Sequence, residues 1–382
     1  MTPVIIVGTG LAGYTLAREF RKLDTETPLH IITADDGRFY SKPMLSSALS
    51  KGTQPEQLAT ADSAKMAADL NATIWTETRV SAIDSTAHTL KARNETLRYS
   101  QLVLALGADP VRPPLEGDAA SEVYAVNDLA DYTRFRQALA GKKRVAIIGA
   151  GLIGCEFAND LQAAGFQVEV IGSAQTPLDR LIPAQAGHAL AKGLTDSLGV
   201  RWHLGTTVQA VAKQNTGYRL TLADGTLLEA DIVLSAVGLR ARTTLAQEAG
   251  LNVKRGIVVD RHLLTSQANI YALGDCAEVA GLVLPFVMPL MACARALAKT
   301  LAGTATEVSY PAMPVLVKTP AYPVVVAPPP HAAPGQWEVE DLNDGIRALF
   351  YNADRVLLGM ALLGSATAEK NTWVKQLPPV LA

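Results

Sequence analysis

Apolar positions fall into two copies of one plan, about 140 residues apart. Val4-Ile-Ile-Val7 is a continuous apolar run of strand length, and such a run marks a strand buried on both faces. Gly8-Thr9-Gly10-Leu11-Ala12-Gly13 follows at once, then helical periodicity over Tyr14–Leu23 and a second apolar strand at Leu29–Thr33. A strand pair is predicted at Thr73–Val80 and around Leu90–Leu97, and a buried closing strand starts at Leu102 and stops at Gly107 and Pro110. From about residue 113 to 240 the plan recurs. Val145-Ala-Ile-Ile148 runs into Gly149-Ala150-Gly151-Leu152-Ile153-Gly154, then a predicted helix Cys155–Ala164, a strand Gln167–Ile171 and an antiparallel stretch around Asp224-Gly225. The closing strand from Asp231 ends at Gly238. Two segments remain. The first, about 245–308, has no third glycine motif but contains Asn269-Ile-Tyr-Ala-Leu-Gly274-Asp275 and a helix predicted to start with Pro289 at its first position. The second, about 311–382, reads as short strands ending in a helix, with a loop at the Pro-rich stretch Ala327–Pro334.

Each Gly-x-Gly-x-x-Gly stands between a strand and a helix, where it has a mechanical meaning. The first glycine permits the tight turn, the second lets a diphosphate approach the backbone, and the third packs helix on strand. The diphosphate then meets free N–H groups at the positive helix end. Two such sites in one chain imply two dinucleotides, and electrons passing between them. A carboxylate about 20 residues past the motif holds the ribose hydroxyls in such a site. After the first motif, Asp35 of the pair Asp35-Asp36 is the candidate. After the second, Ile171-Gly172-Ser173-Ala174-Gln175 offers neither an acid nor an arginine. The missing arginine favours NADH over NADPH, and the missing acid leaves the ribose partner open.

Composition narrows the setting. A net charge of −2 provides no basic excess for a nucleic acid. The longest run free of Asp, Glu, Lys, Arg and His, Val279–Ala294, is short for a membrane span and contains Pro285 and Pro289. The chain opens directly into a strand, which predicts no secretory signal. Cys155, Cys276 and Cys293 form no Cys-x-x-Cys pair; they are expected to be small buried hydrophobes in a cytoplasmic protein. No metal site is visible, and no side-chain nucleophile is required.

Five segments carry a resemblance over essentially the whole chain: Gly8–Gly13, Tyr40-Ser-Lys42-Pro-Met-Leu-Ser46, Gly151-Leu-Ile-Gly-Cys-Glu156-Phe-Ala-Asn-Asp160, Tyr271-Ala-Leu-Gly-Asp275-Cys-Ala-Glu278 and Val317-Lys318-Thr-Pro320. The chain resembles the two-dinucleotide-domain flavoprotein oxidoreductases, and within them the rubredoxin–NAD reductases of alkane-oxidising bacteria. The resemblance implies an α/β fold like that of glutathione reductase, with two Rossmann-like domains. An FAD domain (1–112 and 243–310) is interrupted by an NAD domain (113–242), and a small α+β C-terminal domain (311–382) follows. It places Gly8, Thr9, Gly10, Leu11, Ala12, Gly13 and Asp35 on FAD, with Lys42 near its phosphates and flavin and the backbone of Val80 by its adenine. Asp275 accepts a hydrogen bond from the ribityl chain, and Glu156 and Lys318 form an ion pair beside the flavin. The helix entered at Val287 points its positive end at the pyrimidine ring. Gly149, Gly151, Leu152, Ile153, Gly154 and Gly238 hold NAD. Glu156 is expected in the first turn of its helix, where the helix dipole alone favours an acid.

The implied function is electron transfer from NADH through FAD to rubredoxin, feeding an alkane hydroxylase. Flavin accepts two electrons as hydride and releases them singly, which an iron–cysteinate acceptor requires. Disulfide reductases need a cysteine pair next to the flavin, and none exists here; thiol-dependent oxidases use a single cysteine in the loop after the second strand, and the Tyr40–Lys51 loop has serines but no cysteine. A ferredoxin reductase of an oxygenase system is the alternative; many of those read Arg-Pro-Pro-Leu-Ser-Lys where this chain reads Lys42-Pro-Met-Leu-Ser-Ser47. An NADH-responsive flavoprotein without turnover is the other. Lys51, Arg295, Lys299 and Lys318 are candidates for a basic rim that receives an acidic rubredoxin.

Overall fold

The computed structural model describes all 382 residues. Its first sheet is wholly parallel, with Val4–Val7 at the centre between Leu29–Ile32 and Gln101–Leu104. Thr73–Trp75 extends one side and Ile270–Ala272 the other. Central parallel strands are buried on both faces, which is why Val4–Val7 reads as an unbroken apolar run. The strand Ile270–Ala272 answers where the motif-less segment goes. It closes the first sheet, and its following helix, Val287–Leu301, packs along the first motif helix, Leu11–Arg21. Ile6, Tyr14, Phe20, Ile31, Leu290 and Leu297 share one core.

The second sheet repeats this order: Arg201–Leu204, Gln167–Gly172, Arg144–Ile148 and Ile232–Ser235, all parallel. Each unit also carries a three-stranded antiparallel meander, Val80–Arg98 in the first and Val208–Ala230 in the second. The chain crosses between the units through a two-stranded ribbon, Ala108–Pro110 against Leu239–Ala241. The third unit is a five-stranded antiparallel sheet, in the order Val315–Val317, Val324–Ala327, Leu357–Gly364, Gly345–Tyr351, Gln336–Leu342. The Pro-rich stretch loops between its second strand and the edge strand. One apolar cluster continues from the second unit into this sheet, joining Val145, Ile147 and Leu190 to Val324, Ile346 and Leu363.

Several boundaries differ from the sequence reading. The motif helices begin at Leu11 and Leu152, three residues earlier than predicted, because the glycine turns themselves supply the cap positions Gly10 and Gly151. The stretch Thr73–Val80 is two strands, Thr73–Trp75 and Val80–Asp84, belonging to different sheets. Glu77 between them adopts a positive φ of 47°, which breaks the extended path. The later helix starts at Val287, so Pro289 occupies its third position rather than its first. Proline fits there because the N–H groups of a helix's first turn have no intrahelical partner to lose.

The motif glycines are required by contact. A Cβ on Gly13 would overlap the carbonyl of Gly8, and a Cβ on Gly154 that of Gly149. Gly154→Ala should therefore lower stability by about 1–3 kcal/mol, the usual cost of forcing a methyl into a filled site. Urea unfolding reads this directly, and an unchanged midpoint would show that helix and turn separate without cost.

Candidate functional site

Each motif presents a helix end that no side chain caps. Gly10 and Gly151, at the N-caps, make no side-chain capping bond, and neither helix has an acid in its first turn. A Cβ on either glycine would point into open space. Free amides, a positive helix end and room above the backbone fit a dinucleotide diphosphate. Beside the first mouth, Asp35 Oδ1 receives the Thr33 hydroxyl at 2.6 Å and the Gly37 amide at 3.0 Å, with Thr9 Oγ1 also at 3.0 Å. Those bonds fix the carboxylate and leave Oδ2 without a protein donor, as a ribose ligand requires. Asp36, the other acid of the pair, is held by Arg38.

The two separated halves of the first unit meet at this mouth. Gly274, at a φ of +77°, brings its backbone against Ala12, where a Cβ would stand 2.9 Å from that of Ala12. The next residue, Asp275, faces Lys42, with Nζ to Oδ2 at 3.9 Å. Lys42 Nζ donates to Asn127 Oδ1 at 2.7 Å, and Asn127 Nδ2 donates to the Ala108 carbonyl at 2.8 Å. Burial holds the Lys42 ammonium below the ordinary lysine value, against the opposing pull of Asp275. Lys42 and Asp275 were singled out separately in the sequence; Asn127, which ties them to the interdomain ribbon, was not.

The most concentrated polar group lies on the second motif helix, Leu152–Ala163. Glu156 is its fifth residue and only 2% exposed. It is thus a second-turn interior acid, correcting the expectation of a first-turn residue favoured by the dipole. Glu156 Oε2 accepts from Ser46 Oγ at 2.6 Å and from Lys318 Nζ in an ion pair, while Oε1 accepts from the Lys318 backbone N–H at 3.0 Å. Asn159 and Asp160, at i+3 and i+4, share its face and are equally buried. Asn159 Oδ1 accepts from the Ala321 N–H at 3.1 Å. Asp160 accepts from the N–H groups of Leu49 and Ser50 at 3.0 and 2.9 Å and from the Ser50 hydroxyl at 2.5 Å. One face of one helix thereby grips the Tyr40–Lys51 loop of the first unit and the Lys318–Ala321 turn of the third. Ser46 and Ser50 went unassigned in the sequence; the serine-rich loop opposite a buried acidic face was the available signal.

The remaining candidates are dispersed. Val80 begins its meander and is buried, Val287 opens its helix and is exposed, and Gly238 adopts a φ of +113° beside the ribbon. None shares a hydrogen bond with Glu156, Lys318 or Asp275. Among the basic-rim candidates, Lys51, Arg295 and Lys299 are exposed. Lys318 is committed to Glu156 and is not a free docking charge. All three cysteines are buried and unpaired; burial pushes the Cys276 and Cys293 thiols up to about 11 and Cys155 higher still, so none is reactive near neutral pH. No helix is long and apolar enough to cross a membrane.

Residues 2–298 match the family model described as pyridine nucleotide-disulphide oxidoreductase, and residues 307–377 match the rubredoxin binding C-terminal domain. A rubredoxin-NAD(+) reductase of Alcanivorax borkumensis is 54% identical over the full length of both chains. The protein of the same name in Acinetobacter baylyi is 49% identical, covering 100% of this chain and 99% of its own. A ferredoxin reductase structure from Rhodopseudomonas palustris superposes with a TM-score of 0.87 at 27% identity, covering 97% of this chain and 93% of that one.

The Glu156 cluster ranks its own substitutions. Lys318→Met strands a buried carboxylate and should cost about 3–5 kcal/mol. Ser46→Ala removes one hydrogen bond to a charged group, about 1.5–3 kcal/mol. Glu156→Gln should cost less than Lys318→Met, because the Lys318 side chain is 26% exposed and its ammonium can hydrate. Urea denaturation of the three variants tests the order; equal losses from Lys318→Met and Glu156→Gln would contradict it.

Proposed function

The chain belongs to the pyridine nucleotide-disulphide oxidoreductase family, and we propose that it carries electrons from NADH through a bound FAD to a rubredoxin. The observation that carries this reading is the coexistence, in one chain, of two uncapped glycine–helix mouths and a C-terminal unit matching a rubredoxin-binding domain. The relatives named above work as rubredoxin-NAD(+) reductases, and they span the whole of this chain. FAD supplies the chemistry that links a two-electron donor to a one-electron acceptor.

The protein's own part is binding and placement. Gly8, Thr9, Gly10, Leu11, Ala12 and Gly13 would take the FAD diphosphate, and Asp35 the adenosine ribose through its free Oδ2. Val80 would border the adenine through its backbone. Asp275 and Lys42 would serve the ribityl and phosphate region, with Asn127 setting the lysine's direction. The open helix end at Val287 would favour negative charge on the flavin. Lys318, oriented by Glu156, would place a cation beside it. Gly149, Gly151, Leu152, Ile153, Gly154 and Gly238 would hold NADH so that its hydride faces the flavin at contact distance. Lys51, Arg295 and Lys299 remain the cations available to steer an acidic acceptor. We place the enzyme in the cytoplasm, where its three unpaired cysteines stay reduced, and an alkane hydroxylase downstream of its rubredoxin.

Stopped-flow mixing of the FAD-loaded protein with NADH should bleach the flavin rapidly, and a rubredoxin added to the reduced protein should then be reduced in preference to a [2Fe–2S] ferredoxin. Preference for the ferredoxin would move the protein to an oxygenase system. A flavin that NADH does not bleach would end the electron-transfer reading.

A further inference from the structure

The two units can be compared position by position, because their sheets share one register. Val7 stands opposite Ile32 in the first, and Ile148 opposite Ile171 in the second; each pair is the last before the motif's first glycine. Counting onward, Thr9 corresponds to Ala150, Thr33 to Gly172 and Asp35 to Ala174. In the first unit the three form a closed polar group. Thr9 Oγ1 lies 2.9 Å from Thr33 Oγ1, and both hydroxyls reach Asp35 Oδ1, at 3.0 and 2.6 Å. In the second unit all three polar side chains are gone.

Packing keeps a side chain out at position 172. A Cβ on Gly172 would stand 2.8 Å from the Cβ of Ala150 and 3.1 Å from Leu204 Cδ2. The leucine can turn aside, but Ala150 belongs to the glycine loop itself, so a side chain at the strand end would displace the diphosphate-binding turn. Beyond the strand, two loops are bonded together: Gly205 N–H donates to the Ala174 carbonyl at 2.9 Å, and Thr206 N–H to the Gly172 carbonyl at 3.1 Å. Ser173 and Gln175 are the exposed side chains of this rim, and both are neutral. Asp179 and Arg180 follow, one of each sign.

We propose that the second unit presents an uncharged rim to the coenzyme's adenosine ribose. Nothing at the strand end repels a 2′-phosphate, and position 174 is where discrimination between NAD(H) and NADP(H) can be set. The proposal rests on reading this unit as the nicotinamide-coenzyme site. A carboxylate there selects the ribose 2′-hydroxyl and an arginine selects the 2′-phosphate; a neutral rim does neither. Whatever NADH preference the enzyme shows then comes from fit around Ser173, Gln175 and Gly205, without charge repulsion.

Calorimetric titration of the FAD-loaded protein with NAD+ and NADP+ reads the rim without turnover. The two dissociation constants should lie within about thirtyfold of each other, as expected where no charge acts on the 2′ position. Ala174→Asp should move the ratio at least about tenfold toward NAD+, and Ala174→Arg at least about tenfold toward NADP+. Rejection of NADP+ beyond thirtyfold by the unaltered protein, or a ratio that neither substitution moves, would overturn the proposal. Binding of neither coenzyme would instead sink the reading of the second unit as a nucleotide site, and a flavin that NADH binds without bleaching would count only against electron transfer.

Discussion

The structure depends on a buried carboxylate and the two units it joins. Glu156 sits at 2% exposure, where an unpaired charge would be costly. It is tolerable because Ser46 from the first unit and Lys318 from the third both come to it, the latter through ammonium and backbone N–H alike. Asn159 and Asp160 extend the same logic along one helix face. An apolar face would have gained area burial without direction. A face of hydrogen-bond acceptors demands donors at fixed positions, so it sets how the Tyr40–Lys51 loop and the Lys318–Ala321 turn approach each other. Buried polar groups of this kind contribute little net stability and much to geometry, and geometry is what a hydride donor and a flavin need.

The internal repeat shows how one scaffold carries two tasks. Strand, glycine turn and helix are the same in both units, since each must expose helix amides to a diphosphate. The divergence lies in what surrounds the mouth. In the first unit, Thr9, Thr33 and Asp35 close a polar group, and a returning strand brings Gly274 and Asp275 alongside; this suits a cofactor held permanently. In the second, Ala150, Gly172 and Ala174 leave a smooth rim, which suits a coenzyme that must enter and leave at every turnover. In the proposed reading, resident cofactor and exchanging coenzyme are told apart by the side chains around a repeated strand, glycine turn and helix.

What the sequence determined by itself is everything local. The two motifs, their flanking strands and the closing glycines follow from short-range sterics and apolar runs, and they sufficed to expect two dinucleotide sites. The family resemblance added the pairing of Glu156 with Lys318 across 162 residues. Other features depended on distant partners. Glu156 read as a first-turn acid because helical periodicity does not reveal where a glycine turn hands over to its helix. Pro289 read as a helix start because proline favours the first helical position, and nothing in the apolar run before it marks the cap at Phe286. Only the tertiary structure decided that Ser46, Lys42, Asn127 and Asp160 are the groups that align the units. Their roles arise from donors and acceptors meeting across more than 80 residues of chain, and a hydrogen bond leaves no periodic trace in the sequence of either partner.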